Sequence, residues 1–261
     1  LKDLPFIPLH PDSRNNWVNK AINNWDELIP VASKDFKLGK ITTEQQPIFK
    51  LFSLGVVTAR DEWVFDLSEK ALASKVTYFI SQYNKRVSEH FGKIDAKEIS
   101  RGILGDEIKW TRAVKNDLLK GRHYSFDNTY VVHSLYRPFI KQNLYFKNDL
   151  NEMQYQLPRI FSGKNVVIAF SGTSSSKPFS VLATNCVYSY DLLEKTQCLP
   201  LYSYLENGER LENIQDKAHK EFLSRYTDEA ITKEAIFSYI YAVLHNPIYR
   251  KTYKQNLIVE F

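Results

Sequence analysis

The sequence predicts an α+β fold, with a helical N-terminal part, a short-stranded mixed β-sheet in the middle and C-terminal helices packed on it. Two patterns carry that expectation. Apolar residues recur every three or four positions over 72–87 and 110–118, which is the spacing of one helix face. Residues 126–206 instead break into short aromatic and β-branched runs divided by Asn, Asp, Gly and Ser, the pattern of strands and turns. Apolar residues make up 43% of the 261, enough to bury a sizeable core. We take 1–261 as one domain, divisible into sub-lobes 1–125 (mainly helical) and 126–261 (sheet plus helices).

In chain order, Pro5, Pro8 and Pro11 keep the start out of helix. Asp12 or Ser13 then caps a short helix bearing Trp17, Ala21, Ile22 and Trp25, ended near Pro30. Residues 33–47 read as an exposed basic loop, either plain surface or phosphate-contacting. The stretch Phe52–Asp66, F-S-L-G-V-V-T-A-R-D-E-W-V-F-D, reads as a strand whose Val56 and Val57 favour extended backbone. Gly55 permits a bend or a close approach there. Thr58, Arg60 and Asp61 follow where the strand leaves the core. Arg60 then either pairs with Asp61, Glu62 or Asp66 at the surface or is presented toward a ligand.

Asp66 and Glu69 resemble a capping pair ahead of a helix reaching about His90, with Leu72, Val76, Phe79, Ile80, Tyr83 and Val87 as its buried face and Gly92 as its stop. A second helix is expected over Asp106–Lys120, buried through Trp110, Val114 and Leu118 and ended by Gly121. Its outer face carries Lys109, Arg112, Lys115 and Lys120. Strands are expected at Tyr130–Leu135, Asn143–Phe146, Asn165–Phe170, Phe179–Leu182 and Cys198–Tyr204. Helices follow at Asp216–Tyr226 and Thr232–His245. The second is apolar nearly all round, so burial is expected, and Pro247 breaks it.

Composition narrows function. Thirty-five Lys and Arg against 30 Asp and Glu leave a charge of +5, a mild bias toward an anionic partner. Cys186 and Cys198 suit a reducing cytoplasm and supply no zinc framework. No window approaches the roughly 18 uninterrupted apolar residues of a membrane span. A chain that starts at Leu1 and contains only Met153 reads as part of something longer.

The chemistry of catalysis is missing from the motifs. There is no Gly-rich cofactor loop and no N-P-P-Y-like tetrad of an adenine methyltransferase. Gly163-Lys164 lacks the spacing of a phosphate-binding loop. Glu107-Ile108-Lys109 with Asp95 upstream mimics the acid and Glu-x-Lys of metal-dependent nucleases, but at an expected helix start rather than on a strand. The six histidines are scattered without metal-ligand spacing. Binding groups remain. Ser171–Lys177 offers hydroxyls and a terminal cation, either for phosphates and base edges or as a plain flexible turn. Arg137, forced extended by Pro138, and Lys141 form a cationic pair with no acid between them. A buried structural arginine explains Arg137 nearly as well.

Several blocks together resemble the C-terminal specificity region of type ISP restriction-modification enzymes. They are F-K-L-F-S-L-G-V-V-T-A-R-D-E-W-V-F-D at 49–66, I-K-W-T-R at 108–112, S-L-Y-R-P-F at 134–139, Q-C-L-P-L-Y at 197–202 and F-S-Y-I-Y-A-V-L-H-N-P-I-Y-R at 237–250. In the family resembled, a Pro-Arg-rich segment is expected to follow the terminal helix, and the sequence in hand runs to Phe261. The resemblance implies a parent with a nuclease, a helicase-like ATPase and an N6-adenine methyltransferase, using ATP, magnesium and S-adenosylmethionine. This region would be the part that recognises double-stranded DNA, non-catalytic and without a cofactor of its own. Its partners would be the DNA and the methyltransferase and helicase domains of the same chain. Shared blocks hold the fold, so loops such as 33–47 and 171–177 become the candidates for reading bases. Arg60, Lys109 and Arg112 become candidates for backbone contacts, Ser174, Ser175 and Lys177 for groove contacts, and Thr58, Arg137 and Lys141 further candidates for DNA binding. The rival expectation is a scaffold that braces the parent's domains without reading bases.

Overall fold

The computed structural model describes residues 7–12, 15–18, 21, 23–33, 46–100 and 102–259. The fold is α+β. The early helix does not form among the described residues. Asn15 takes a left-handed backbone, φ 61, and Asp12 turns around Asn16, accepting from its backbone N–H at 2.8 Å and its side-chain amide at 3.0 Å. Only Trp25–Glu27 makes a single 3-10 turn there.

The stretch read as one strand divides into β1 (Ser53–Leu54), α1 (Asp61–Val64) and β2 (Phe65–Asp66). Helix α2 (Glu69–His90) buries the face that its spacing predicts, Leu72, Val76, Phe79, Ile80, Tyr83 and Val87. Its cap is Ser68, whose hydroxyl accepts from the Ala71 N–H, while Asp66 supports Ser68 from outside the helix. A short α3 (Ala96–Ser100) precedes α4 (Arg112–Leu119), which begins later than expected. Thr111 is held in extended backbone at the N-cap, and its hydroxyl is engaged by distant partners rather than by the helix. Gly121, φ 68, closes the helix as its position predicts.

The expected strands form within a few residues of their predicted places: β3 (Val131–Arg137), β4 (Ile140–Tyr145), β5 (Val167–Phe170), β6 (Val181–Thr184), β8 (Gln197–Pro200) and β9 (Tyr202–Tyr204). Between them lie α5 (Leu157–Ile160) and β7 (Val187–Tyr188), and β10 (Arg210–Glu212) follows. They build two larger sheets rather than one. One is antiparallel, in the order β1-β8-β5-β6; the other runs β2-β4-β3-β7 and is mixed, since β3 and β7 are parallel. The chain closes with α6 (Asp216–Tyr226), α7 (Lys233–His245), α8 (Pro247–Thr252) and α9 (Lys254–Val259).

Strand alternation explains how the first sheet organises the molecule. Successive side chains point to opposite faces. Along β5, Val167 and Ala169 join a core made with α2, α4 and the mixed sheet, whereas Ile168 and Phe170 join a second core made with α7 and α9. The sheet is therefore covered on both faces, which is why its central strand reads as a continuous apolar run. The first core draws residues from Leu51 through Cys198, on both sides of position 125. Helix α7 is one-sided, not buried all round: Ile236, Phe237, Ile240 and Leu244 face the core while Tyr239 is exposed. Many aromatics are core material, as in the Tyr83–Tyr124 stack at 4.0 Å. Among the described residues, no helix is long and apolar enough to cross a membrane.

Candidate nucleic-acid interface

Beyond β1 the chain runs directly against residues 188–196. The Gly55 N–H donates to the Thr196 carbonyl, Val56 exchanges bonds with Tyr188 and Tyr190, and Val57 pairs with Met153. A Cβ on Gly55 would lie 2.7 Å from the Ser189 carbonyl oxygen, so only glycine fits this approach. The close partner is another segment of the same domain.

Thr58 and Arg60 then turn inward. Thr58 is buried, accepts from the Arg60 N–H at 3.2 Å and donates to the Asp61 carboxylate. The Arg60 side chain has no exposed surface. Its Nη2 donates to Thr111 Oγ1 and lies 3.6 Å from Glu152, to which Thr111 donates at 2.9 Å. The guanidinium also sits over the Phe79 ring at 5.7 Å. Burial holds the Arg60 pKa below its usual value, and the Glu152 charge offsets only part of that. Thr58 and Arg60, both expected to contact DNA, are therefore buried and bonded to groups of the same domain.

Other candidates do reach the surface. Lys109 is exposed and lies 3.4 Å from Glu62, and Arg112 is exposed on the first turn of α4. Arg137 is half-buried. It stacks over the Tyr136 ring at 4.0 Å, donates to the Tyr136 carbonyl at 2.8 Å and to Ser189 Oγ at 3.4 Å, and lies 3.9 Å from Asp61. Through the adjacent acids Asp61 and Glu62, α1 brings Arg137 and Lys109 into one neighbourhood. Lys141 is exposed on β4, opposite Leu135.

Residues 171–177 are not a free turn. The Glu194 carboxylate accepts from Ser175 Oγ at 2.7 Å, from Ser176 Oγ at 3.0 Å and from the Ser176 N–H at 3.1 Å. Lys195 Nζ donates to the Ser174 carbonyl, and the Ser174 N–H donates to the Ile258 carbonyl on α9. Ser174, Glu194 and Lys195 all take left-handed backbones, with φ of 60, 70 and 53. Such conformations cost energy outside glycine and hold only where surroundings dictate them. Ser175 is engaged internally, while Ser174 and Lys177 remain exposed. The 188–196 segment thus touches Arg137 at one end and this loop at the other. Sequence reasoning missed Glu194, Glu152, Thr111 and Ser189. Only the run of serine hydroxyls without a local acceptor hinted at Glu194.

The nuclease-like residues do not converge on one another. Glu107 pairs with Arg86 at 2.8 Å, Lys109 faces Glu62, and Asp95 accepts from the backbone N–H groups of Lys97 and Glu98. Among the described residues no group of three or more His, Cys, Asp or Glu is placed to hold a metal ion. Residues 34–45 of the basic loop lie outside the described residues.

The model of the type ISP C-terminal specificity domain matches residues 47–261. The chain belongs to that family. This specificity domain is similar over its whole length to the chain of a DrdV–DNA complex, at 49% identity and a TM-score of 0.87. It is also similar over its whole length to the type ISP enzyme LlaGI, solved as a nuclease-deletion mutant with a DNA substrate mimic, at 25% identity and a TM-score of 0.80. With the ATP-dependent type ISP enzyme LlaBIII bound to DNA, 97% of the domain shares the fold at 23% identity and a TM-score of 0.81. The domain spans 26% of the DrdV chain, 23% of the LlaGI chain and 16% of the LlaBIII chain. No curated protein matches it.

Proposed function

We propose that this domain recognises a short double-stranded DNA site for a larger type ISP-like restriction-modification enzyme. In doing so it positions an adenine-N6 methyltransferase and a helicase–nuclease of the same chain on the target. The observation that carries the reading is its full-length likeness, at 49% identity, to a chain solved in complex with DNA. Lys109, Arg112, Arg137 and Lys141 make phosphate contacts, which fix orientation without carrying sequence information. Ser174 and Lys177 face a groove, and Ser175 shapes their loop. S-adenosylmethionine, ATP and magnesium serve the other parts of such an enzyme.

Phosphate contacts release counterions, so affinity falls with salt in proportion to their number. Alanine at Lys109 or Lys141 is expected to weaken binding across unrelated duplexes alike and to lower the slope of log K against log salt by about one each. Fluorescence anisotropy over a salt series measures this. A slope unchanged in both variants removes them from the interface.

A second reading, a scaffold between neighbouring domains, has one observation in its favour. A groove of about 670 Å³ beside α6 and α7 is lined by Ile29, Phe222, Tyr226 and Tyr239. Selection from randomised duplexes separates the two, because a scaffold enriches no sequence.

A further inference from the structure

Phe139 occupies the tip of the β3–β4 hairpin with 93% of its surface exposed, more than any other large apolar side chain among the described residues. Ile140 beside it is half exposed, and Pro138 is exposed too. The Phe139 backbone is left-handed, φ 64, which is a costly conformation for an aromatic residue. Arg137 pairs with Ile140 across the hairpin after a register shift. The Arg137 guanidinium lies over the Tyr136 ring at 4.0 Å, and that ring packs on Phe65 at 4.7 Å. The fold thus accepts two costs, an exposed ring and a strained backbone.

The surroundings indicate what the ring meets. From Ser134 to Phe146 the sequence has no acid, and Lys141, exposed, and Arg137, half-buried and 3.9 Å from Asp61, flank the tip. An apolar point between two cations is complementary to a polymer with anionic edges and flat apolar faces within. We infer that Phe139 is a wedge that inserts into the base stack of the bound duplex while Arg137 and Lys141 hold phosphates on either side. Apolar side chains inserted at a base step unstack it and kink the duplex. A phenyl ring stacks on any base, so the wedge adds affinity and deformation without choosing sequence. This inference rests on the DNA-recognition reading above.

Phe139→Gly is the informative variant, because it removes the ring at a backbone geometry that glycine adopts without strain. The probe is a set of duplexes enriched from a randomised pool by the unmodified full-length protein. Phe139→Gly is expected to raise Kd about ten-fold with the salt slope unchanged, since stacking rather than charge is lost. Phe139→Trp is expected to retain affinity. If Phe139→Gly binds these duplexes as tightly as the unmodified protein, the wedge is wrong while DNA recognition stands. A loss accompanied by a shallower salt slope also overturns it, because the ring then acts only by placing the cations. So does intact DNA binding with new protease sensitivity between this domain and its neighbours, which makes the tip an interdomain contact. If the unmodified protein enriches no duplex, both readings fall together.

Discussion

A guanidinium without exposed surface holds together segments that lie far apart in the chain. Arg60 reaches Thr111, 51 positions away, and Thr111 reaches Glu152, a further 41. Removing one member of a buried charged pair leaves the other without compensation. Arg60→Ala is therefore expected to lower stability by about 3–5 kcal/mol, read from the denaturant midpoint. Arg60→Lys should also destabilise, because a compact, strongly hydrated ammonium gives up the guanidinium's packing over the Phe79 ring and is costlier to bury. The folded fraction of either variant should bind DNA normally. A stable Arg60→Ala protein with a specific binding defect would return this residue to the interface. Its role was not legible from the local sequence, where Asp61, Glu62 and Asp66 are the obvious partners and none of them is the one it uses.

At the level of elements, the informative unit is the pair of loops around Glu194. The hydroxyls of Ser175 and Ser176 and the Ser176 N–H donate to its carboxylate and hold its pKa below the usual glutamate range. A group whose folded pKa is depressed stabilises the fold while ionised. That contribution is fully present above the ordinary value of 4.5 and is lost as pH falls through the lowered folded value. The Ser176 amide should accordingly be protected from hydrogen exchange at neutral pH and lose protection, relative to its intrinsic rate, in acid. Glu194→Gln should remove that protection at neutral pH. Protection that is indifferent to both changes means that something else holds the loop. The strands and long helices around this pair were legible because apolar spacing alone defines them. The loop pair was not, since its order comes from a carboxylate on a segment that carries no periodic pattern.

For the whole molecule, the central sheet joins two cores, so the domain should be exchanged as a unit rather than cut near residue 125. In the larger enzyme proposed above, replacing residues 47–261 with the same region of a relative that has another target is expected to transfer the relative's sequence preference. Methylation mapped on genomic DNA measures it. If the parent keeps its own preference, recognition lies elsewhere and the scaffold reading gains. The groove beside α6 and α7 would then be the first surface to alter.

By itself the sequence determined the α+β class, the buried face of α2, the places of most strands and the family, because these depend on local spacing and on short blocks of residues. Tertiary structure alone decided which polar residues belong to the framework and which to the surface. Thr58 and Arg60, readable as framework or as a phosphate clamp, are buried. Ser175 looked free and is bound by Glu194. Phe139, for which the sequence set no burial, stands almost wholly in solvent. The reason is physical: burial and hydrogen-bond partnership are set by segments that meet only after the two cores close on the central sheet.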